Sequence, residues 1–196
     1  MNLVLVDAGG TNIGSVRYAL QRLGVDAPLS SDAETIRRAD KVILPGVGAA
    51  GPGMDRLRET ALVDVLRALQ QPVLGVCLGM QLLFEHSEEG DTQCLGVIPG
   101  KVTRMRAEPG LRVPHMGWNR LDVCKGEPLV AKLPGDAYAY FVHSYAAAVT
   151  SATLASSTHG DAFSAIVRHR NFCGMQFHPE RSAAVGAQLL KNFLAL

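Results

Sequence analysis

The sequence predicts an α/β fold of three layers. A mostly parallel twisted sheet is flanked by helices, with a smaller antiparallel strand region in the second half. Three observations predict it. Short apolar runs alternate with amphipathic helical patterns through the first half. Each of those runs stops at a turn rich in glycine or proline. The second half instead packs short strand patterns close together, two of them separated only by His169-Arg170. Strands alternating with helices imply right-handed crossovers and parallel pairing. A two-residue connection implies a hairpin.

Taken in order, residues 3–6 form a buried strand ended by Asp7-Ala8-Gly9-Gly10. Residues 13–23 read as a helix, because Ile13, Val16, Leu20 and Leu23 recur at helical spacing and Gly24 stops it. Residues 41–44 are a second strand, cut off by Pro45-Gly46. Residues 57–69 read as one helix with Leu62, Val65, Leu66 and Leu69 on a face. Residues 72–76 are the third strand, and a helix begins at Gly79. Segments 119–123, 138–142, 165–168 and 171–177 are strand candidates, and 183–194 is a closing helix. Segments 88–93 and 108–112 read as surface excursions. Sites in parallel sheets form at the carboxyl ends of strands, so the loops at Asp7, Pro45 and Cys77 should converge.

The chain of 196 residues fits one domain spanning 1–196. A formal charge of +1 gives no field that would attract nucleic acid or a membrane surface. The four cysteines are scattered, with no C-x-x-C pair, which argues against a metal site and a disulfide framework. The first residues lack a basic stretch and a signal-length apolar run, and no segment reaches membrane-spanning length. A reducing cytoplasm is the expected compartment. Gly9-Gly10-x-x-x-Gly14 misses the dinucleotide spacing, and no cofactor is expected.

Gly75-Val76-Cys77-Leu78-Gly79 follows a buried strand and opens a helix. That is the cysteine version of a nucleophile elbow, in which a strained turn lifts a side chain toward substrate. A helix start beyond it offers N–H groups to a thiolate and an oxyanion. The alternative is a small buried hydrophobe at a strand end. A nucleophile needs a base and an orienting group. His178-Pro179-Glu180 closes the strand candidate at 171–177, so His178 can take the Cys77 proton while Glu180 holds the imidazole.

With Gln81 after the elbow and Gln176-Phe177 before His178, these segments resemble the class I (triad-type) glutamine amidotransferases. The resemblance runs from the first strand to the last helix and implies a flavodoxin-like sheet. Pro45-Gly46-Val47-Gly48, Pro114-His115-Met116-Gly117-Trp118-Asn119 and Tyr140-Phe141-Val142-His143-Ser144-Tyr145 narrow it. They resemble the histidine-biosynthetic branch, the glutaminase subunits of imidazole glycerol phosphate synthases.

The resemblance implies the following roles. Cys77 attacks glutamine and forms a γ-glutamyl thioester. His178 and Glu180 complete the triad. Leu78 and the loop Gly46, Val47, Gly48 hold the oxyanion. Gln81, Glu89, His143, Ser144 and Tyr145 match glutamine-binding positions. Ammonia then passes to a cyclase subunit, a (βα)8 barrel, in a heterodimer. That subunit makes imidazole glycerol phosphate and an aminoimidazole carboxamide ribotide. Asn12, Met116, Trp118, Tyr140 and Arg181 match positions at or near that interface, although Met116 and Trp118 read equally well as core. Two departures are local: Asp7-Ala8-Gly9-Gly10-Thr11-Asn12 replaces the more usual Asp-Tyr-Gly-x-Gly-Asn, and Arg181 stands where lysine is commoner. Other readings remain at this point: an amidotransferase for anthranilate, guanylate or pyridoxal phosphate synthesis, a non-catalytic module on the same fold, or a cysteine peptidase.

Overall fold

The structure, a computed structural model, describes residues 1–9, 13–124 and 126–196. The chain opens with β1 (Leu3–Val6), α1 (Ile13–Arg22), β2 (Leu29–Ser30), α2 (Ala33–Arg38) and β3 (Lys41–Gly46). It continues through α3 (Ala50–Glu59), α4 (Val63–Arg67), β4 (Val73–Cys77) and α5 (Leu78–Leu83). Short strands β5 (His86–Ser87), β6 (Thr92–Gln93) and β7 (Lys101–Arg104) follow. Next come β8 (His115–Arg120), β9 (Asp122–Val123), β10 (Tyr138–His143) and β11 (Tyr145–Ala147). The hairpin of β12 (Thr153–His159) and β13 (Asp161–His169) leads to β14 (Phe172–Met175) and α6 (Ala183–Leu194).

The main sheet runs β2-β1-β3-β4-β14-β13-β12-β9. Pairing is parallel from β2 through β14 and antiparallel from there to β9. The parallel part has the flavodoxin-like order, with strands feeding loops toward one end. Alternation along the strands splits the core in two. Leu3, Leu5, Ile43, Leu74 and Val76 face one side with Leu20 of α1 and Leu189, Leu190 and Phe193 of α6. Val4, Val6, Val42 and Leu44 face the other with Ile36, Met54, Leu57 and Leu66 of α2 to α4. Strands buried on both faces read as continuous apolar runs, which is why β1, β3 and β4 stood out in the sequence. A two-stranded ribbon, β10-β8, and a four-stranded sheet, β11-β7-β5-β6, cover the carboxyl end.

Several expectations are corrected. The helix expected over 57–69 is two helices, and the first begins earlier, at Ala50. Ala61 at φ 54 ends α3: Ala61 N–H donates to the Arg58 carbonyl at 3.0 Å and Leu62 N–H to the Leu57 carbonyl at 2.8 Å. This is a Schellman closure. The strand expected at 119–123 starts at His115, and Leu121 separates β8 from β9. Segment 88–93 is no bare excursion: it spans the turn between β5 and β6 and includes β6 itself. Strands β2, β7, β11 and β12 and helix α2 carry too few periodic apolar positions to be read from sequence. Among the described residues, no helix is long and apolar enough to cross a membrane.

Candidate active site

Cys77 is the last residue of β4 and is followed at once by α5. Its backbone sits at φ 53 and ψ −111. A non-glycine residue there stores about 1–3 kcal/mol of strain. The reversal is possible because the helix start crosses directly over the neighbouring strands. A Cβ on Gly79 would overlap the Leu44 carbonyl, and one on Gly75 would lie 2.6 Å from the Gly79 oxygen. The two glycines flanking Cys77 are therefore there for close approach. Cys77 remains 8% exposed, enough to face a cavity.

β14 leads to the other two members of the expected triad, His178 and Glu180. Beyond it Pro179–Arg181 forms a 3-10 turn, and proline at its first position presets the chain direction. His178 Nδ1 lies 2.9 Å from Glu180 Oε1, with side chains only 9% and 1% exposed. The His178 ring is also hydrogen-bonded to Cys77. Burial alone would lower the His178 pKa. Hydrogen bonds to Cys77 and Glu180, and then their charges, outweigh it and push it up to about 10. The ring is thereby held as an imidazolium at neutral pH, ready to give a proton to a leaving group. The backbone of His178 is tied to β10: its N–H donates to the Tyr140 carbonyl at 3.0 Å. Ser182 Oγ accepts from the Tyr140 N–H at 2.9 Å and donates to the His178 carbonyl at 2.7 Å.

Cys77 and His178 open into a cavity of about 290 Å³. Val47, Gly48 and Leu78 line it beside the sulfur. Gly46 pairs with Cys77 across β3 and β4 but does not itself line the cavity. Gly48 adopts φ 99, a conformation that suits glycine. Gln81, Glu89, His143, Ser144 and Tyr145 line the same cavity. Their side chains differ in what they have left to offer. Gln81 Nε2 donates to the Tyr145 carbonyl at 2.9 Å and to Gln176 Oε1 at 3.0 Å, so its remaining polar atom is Oε1. Glu89 Oε2 accepts from Ala50 N–H at 2.9 Å and so caps α3, the helix that follows the Val47-Gly48 loop. That cap explains why α3 starts without a capping side chain of its own. His143 uses both ring nitrogens inside the protein, toward Tyr145 and His115.

Two polar groups at the site, the Gln176 side chain and the Val142 carbonyl, carry no function assigned from the sequence. Gln176 is fully buried, and its Nε2 faces Cys77 Sγ at 4.0 Å. A lone glutamine between Met175 and Phe177 in a buried strand was the available signal. Pro114 and Val142 also line the cavity, and the Val142 carbonyl lies 3.9 Å from Cys77 Sγ.

Among the described interface positions, Trp118, Tyr140 and Arg181 form one patch. Met116 and Trp118 are 63% and 53% exposed, so the core alternative fails for both. Trp118 meets Tyr140 edge to face at 6.0 Å, and the Arg181 guanidinium lies 5.0 Å over the Tyr140 ring. Tyr140 thus joins the patch by its ring and His178 by its backbone. Asn12 lies outside the described residues.

A family model described as glutamine amidotransferase class-I matches residues 4–196. The chain is 58% identical over 195 residues to the imidazole glycerol phosphate synthase subunit HisH of Xanthomonas euvesicatoria pv. vesicatoria (strain 85-10), covering 100% of this chain and 98% of that one. It is 57% identical over 194 residues to the subunit of the same name from Xylella fastidiosa (strain Temecula1 / ATCC 700964), covering 99% and 97%. A solved glutamine amidotransferase superposes with a TM-score of 0.77 at 22% identity, over 100% of this chain and 98% of that chain. At that identity the likeness speaks to the fold alone.

Proposed function

The chain belongs to the class I glutamine amidotransferases, and from that premise we propose that it is the glutaminase subunit of an imidazole glycerol phosphate synthase in histidine biosynthesis. The observation that carries this reading is the strained Cys77 facing a cavity with His178 hydrogen-bonded to it and Glu180 behind.

The reaction follows from those positions. The Cys77 sulfur attacks the side-chain carboxamide carbon of glutamine, and the carbonyl π electrons move onto oxygen. The Leu78 N–H and an N–H from the Gly46-Val47-Gly48 loop receive that oxyanion. As the tetrahedral species collapses, the C–N bond breaks and His178 protonates the departing nitrogen. Ammonia leaves and a γ-glutamyl thioester remains on Cys77. His178, now neutral, takes a proton from water, whose oxygen attacks the thioester carbon. The C–S bond breaks, glutamate departs, and Cys77 and His178 return to their starting state. Glu180 holds the His178 tautomer and offsets its charge throughout. Gln81 Oε1, Glu89 and the 143–145 backbone orient the substrate's amino-acid end.

The ammonia is passed to a cyclase subunit with a (βα)8-barrel fold, in a one-to-one cytoplasmic heterodimer. Met116, Trp118, Tyr140 and Arg181 dock it. Residues 1–196 act as one domain, which the two cores on opposite faces of a single sheet support. The test is glutamate release by the complex with its nucleotide ligand present. Wild type turns glutamine over and Cys77→Ala does not. Undiminished release by the Cys77→Ala complex would remove the assignment.

A further inference from the structure

A directed series of hydrogen bonds runs from β8 to the wall of the cavity. Its direction is set at Asn119. Asn119 Oδ1 accepts from the Arg120 N–H at 2.8 Å, and Nδ2 donates to the Thr158 carbonyl at 2.8 Å. The amide orientation is therefore defined. The second Nδ2 hydrogen faces His115 Nε2 at 3.2 Å, so that nitrogen accepts. A neutral imidazole that accepts at Nε2 carries its proton on Nδ1. His115 Nδ1 lies 3.0 Å from His143 Nε2 and donates to it. His143 must then carry its own proton on Nδ1, which lies 2.9 Å from the Tyr145 carbonyl and donates to it.

The same carbonyl accepts from Gln81 Nε2, the amide that also reaches Gln176. Each link fits only one tautomer. Reversing His143 would set a bare Nδ1 against the Tyr145 oxygen, and reversing His115 would set a bare Nδ1 against the bare His143 Nε2 and an N–H against the Asn119 amide. Both rings are neutral at physiological pH. Burial, with the charges of neighbouring histidines, lowers the His115 pKa to about 3. Burial lowers that of His143 to about 4 against the opposing bond to Tyr145. The His115 ring is also clamped by stacking on His159 at 4.2 Å and Phe141 at 5.0 Å.

We propose that His115, oriented by Asn119, is a positioning residue for the glutamine site: it locks the His143 tautomer, which holds the Tyr145 carbonyl and with it the Gln81 side chain. The inference rests on reading the cavity as the glutamine site. It gives His143 a structural task for both ring nitrogens and leaves substrate contact there to the backbone.

The test has a spectroscopic arm and a kinetic arm. In the full chain, nitrogen-15 imidazole spectra show both His115 and His143 with the proton on Nδ1. In the complex with the cyclase subunit, His115→Phe keeps the stacking but loses the two hydrogen bonds. The KM for glutamine then rises about tenfold, the worth of one hydrogen bond, while kcat changes much less. His115→Asn, whose amide nitrogen can reach His143, brings KM back toward wild type. Asn119→Asp, which accepts where asparagine donates, moves the His143 proton off Nδ1 and raises KM as His115→Phe does.

An Nε2 proton on either wild-type ring overturns the proposal, as does a folded His115→Phe with wild-type KM. Should His115→Phe fail to fold, Asn119→Asp and the wild-type spectrum decide. If wild type shows no glutaminase at all, the functional reading falls and the positioning role with it. Turnover with an unmoved KM removes the positioning role alone.

Discussion

Glu180 Oε1 lies 2.9 Å from His178 Nδ1, held there by a turn of the chain that brings residues two apart face to face. The carboxylate is nearly sealed from solvent while the imidazole reaches the cavity. The acid–base pair is thus one local motif, and only its nucleophile comes from elsewhere in the chain.

Replacing Glu180 with Gln keeps the shape of the turn and removes the charge. General acid–base steps contribute about 10²–10⁴-fold, so kcat for glutamine hydrolysis in the complex should fall at least 100-fold. Steady-state glutaminase assays check this. A Glu180→Gln complex within tenfold of wild type would contradict the role given to Glu180.

The His178 pKa makes a prediction about stability. Its value, about 10 against an ordinary 6.5, is raised by Cys77 and Glu180 in spite of burial. The folded state therefore binds the proton more tightly than the unfolded chain. That contribution is complete below pH 6.5 and is lost as the pH rises through 10. The stability advantage of wild type over His178→Asn, read from urea unfolding, should shrink steadily from pH 7 to 10. An advantage that grows over that range has the wrong sign.

Gly79→Ala should be severe. The added Cβ meets the Leu44 carbonyl, a backbone atom of a central strand that cannot rotate away. Overpacking of this kind costs about 3 kcal/mol or more where neither backbone can yield. Thermal and urea unfolding read the loss directly, and a variant of wild-type stability would mean that α5 does not cross β3 so closely.

Ala61→Gly should stabilise the chain, by up to about 1 kcal/mol, because Ala61 already holds the left-handed conformation that glycine adopts freely. The urea midpoint checks it. A lower midpoint would show that the Ala61 methyl matters more than its backbone strain.

That position also shows what can be read from sequence. Helices α1 and α3 end in the same way. In α1 the left-handed residue is Gly24, with Gly24 N–H donating to Gln21 and Val25 N–H to Leu20. A glycine marked the first end, while an alanine left the second invisible and merged α3 with α4. Strand β12 was missed for a different reason. Its buried residues include Thr153 and Ser157, and Thr153 shares a 2.7 Å hydrogen bond with Ser164 of β13. A search for apolar periodicity does not register a core surface lined with hydroxyls. The triad was legible because Cys77 and the His178-Pro179-Glu180 segment each carry their geometry locally. The contacts made by Gln176, Glu89 and His115 were not, since each is fixed by a partner far away in the chain: Cys77, Ala50 and His143.

The central claim is that Cys77 carries the acyl group, and quenched-flow mass spectrometry of the complex during glutamine turnover tests it most directly. A γ-glutamyl adduct should appear on the peptide containing Cys77, and none on those of Cys94, Cys124 or Cys173. Glutamate produced with no Cys77 adduct under conditions that accumulate the thioester, or an adduct on another cysteine, would contradict the account.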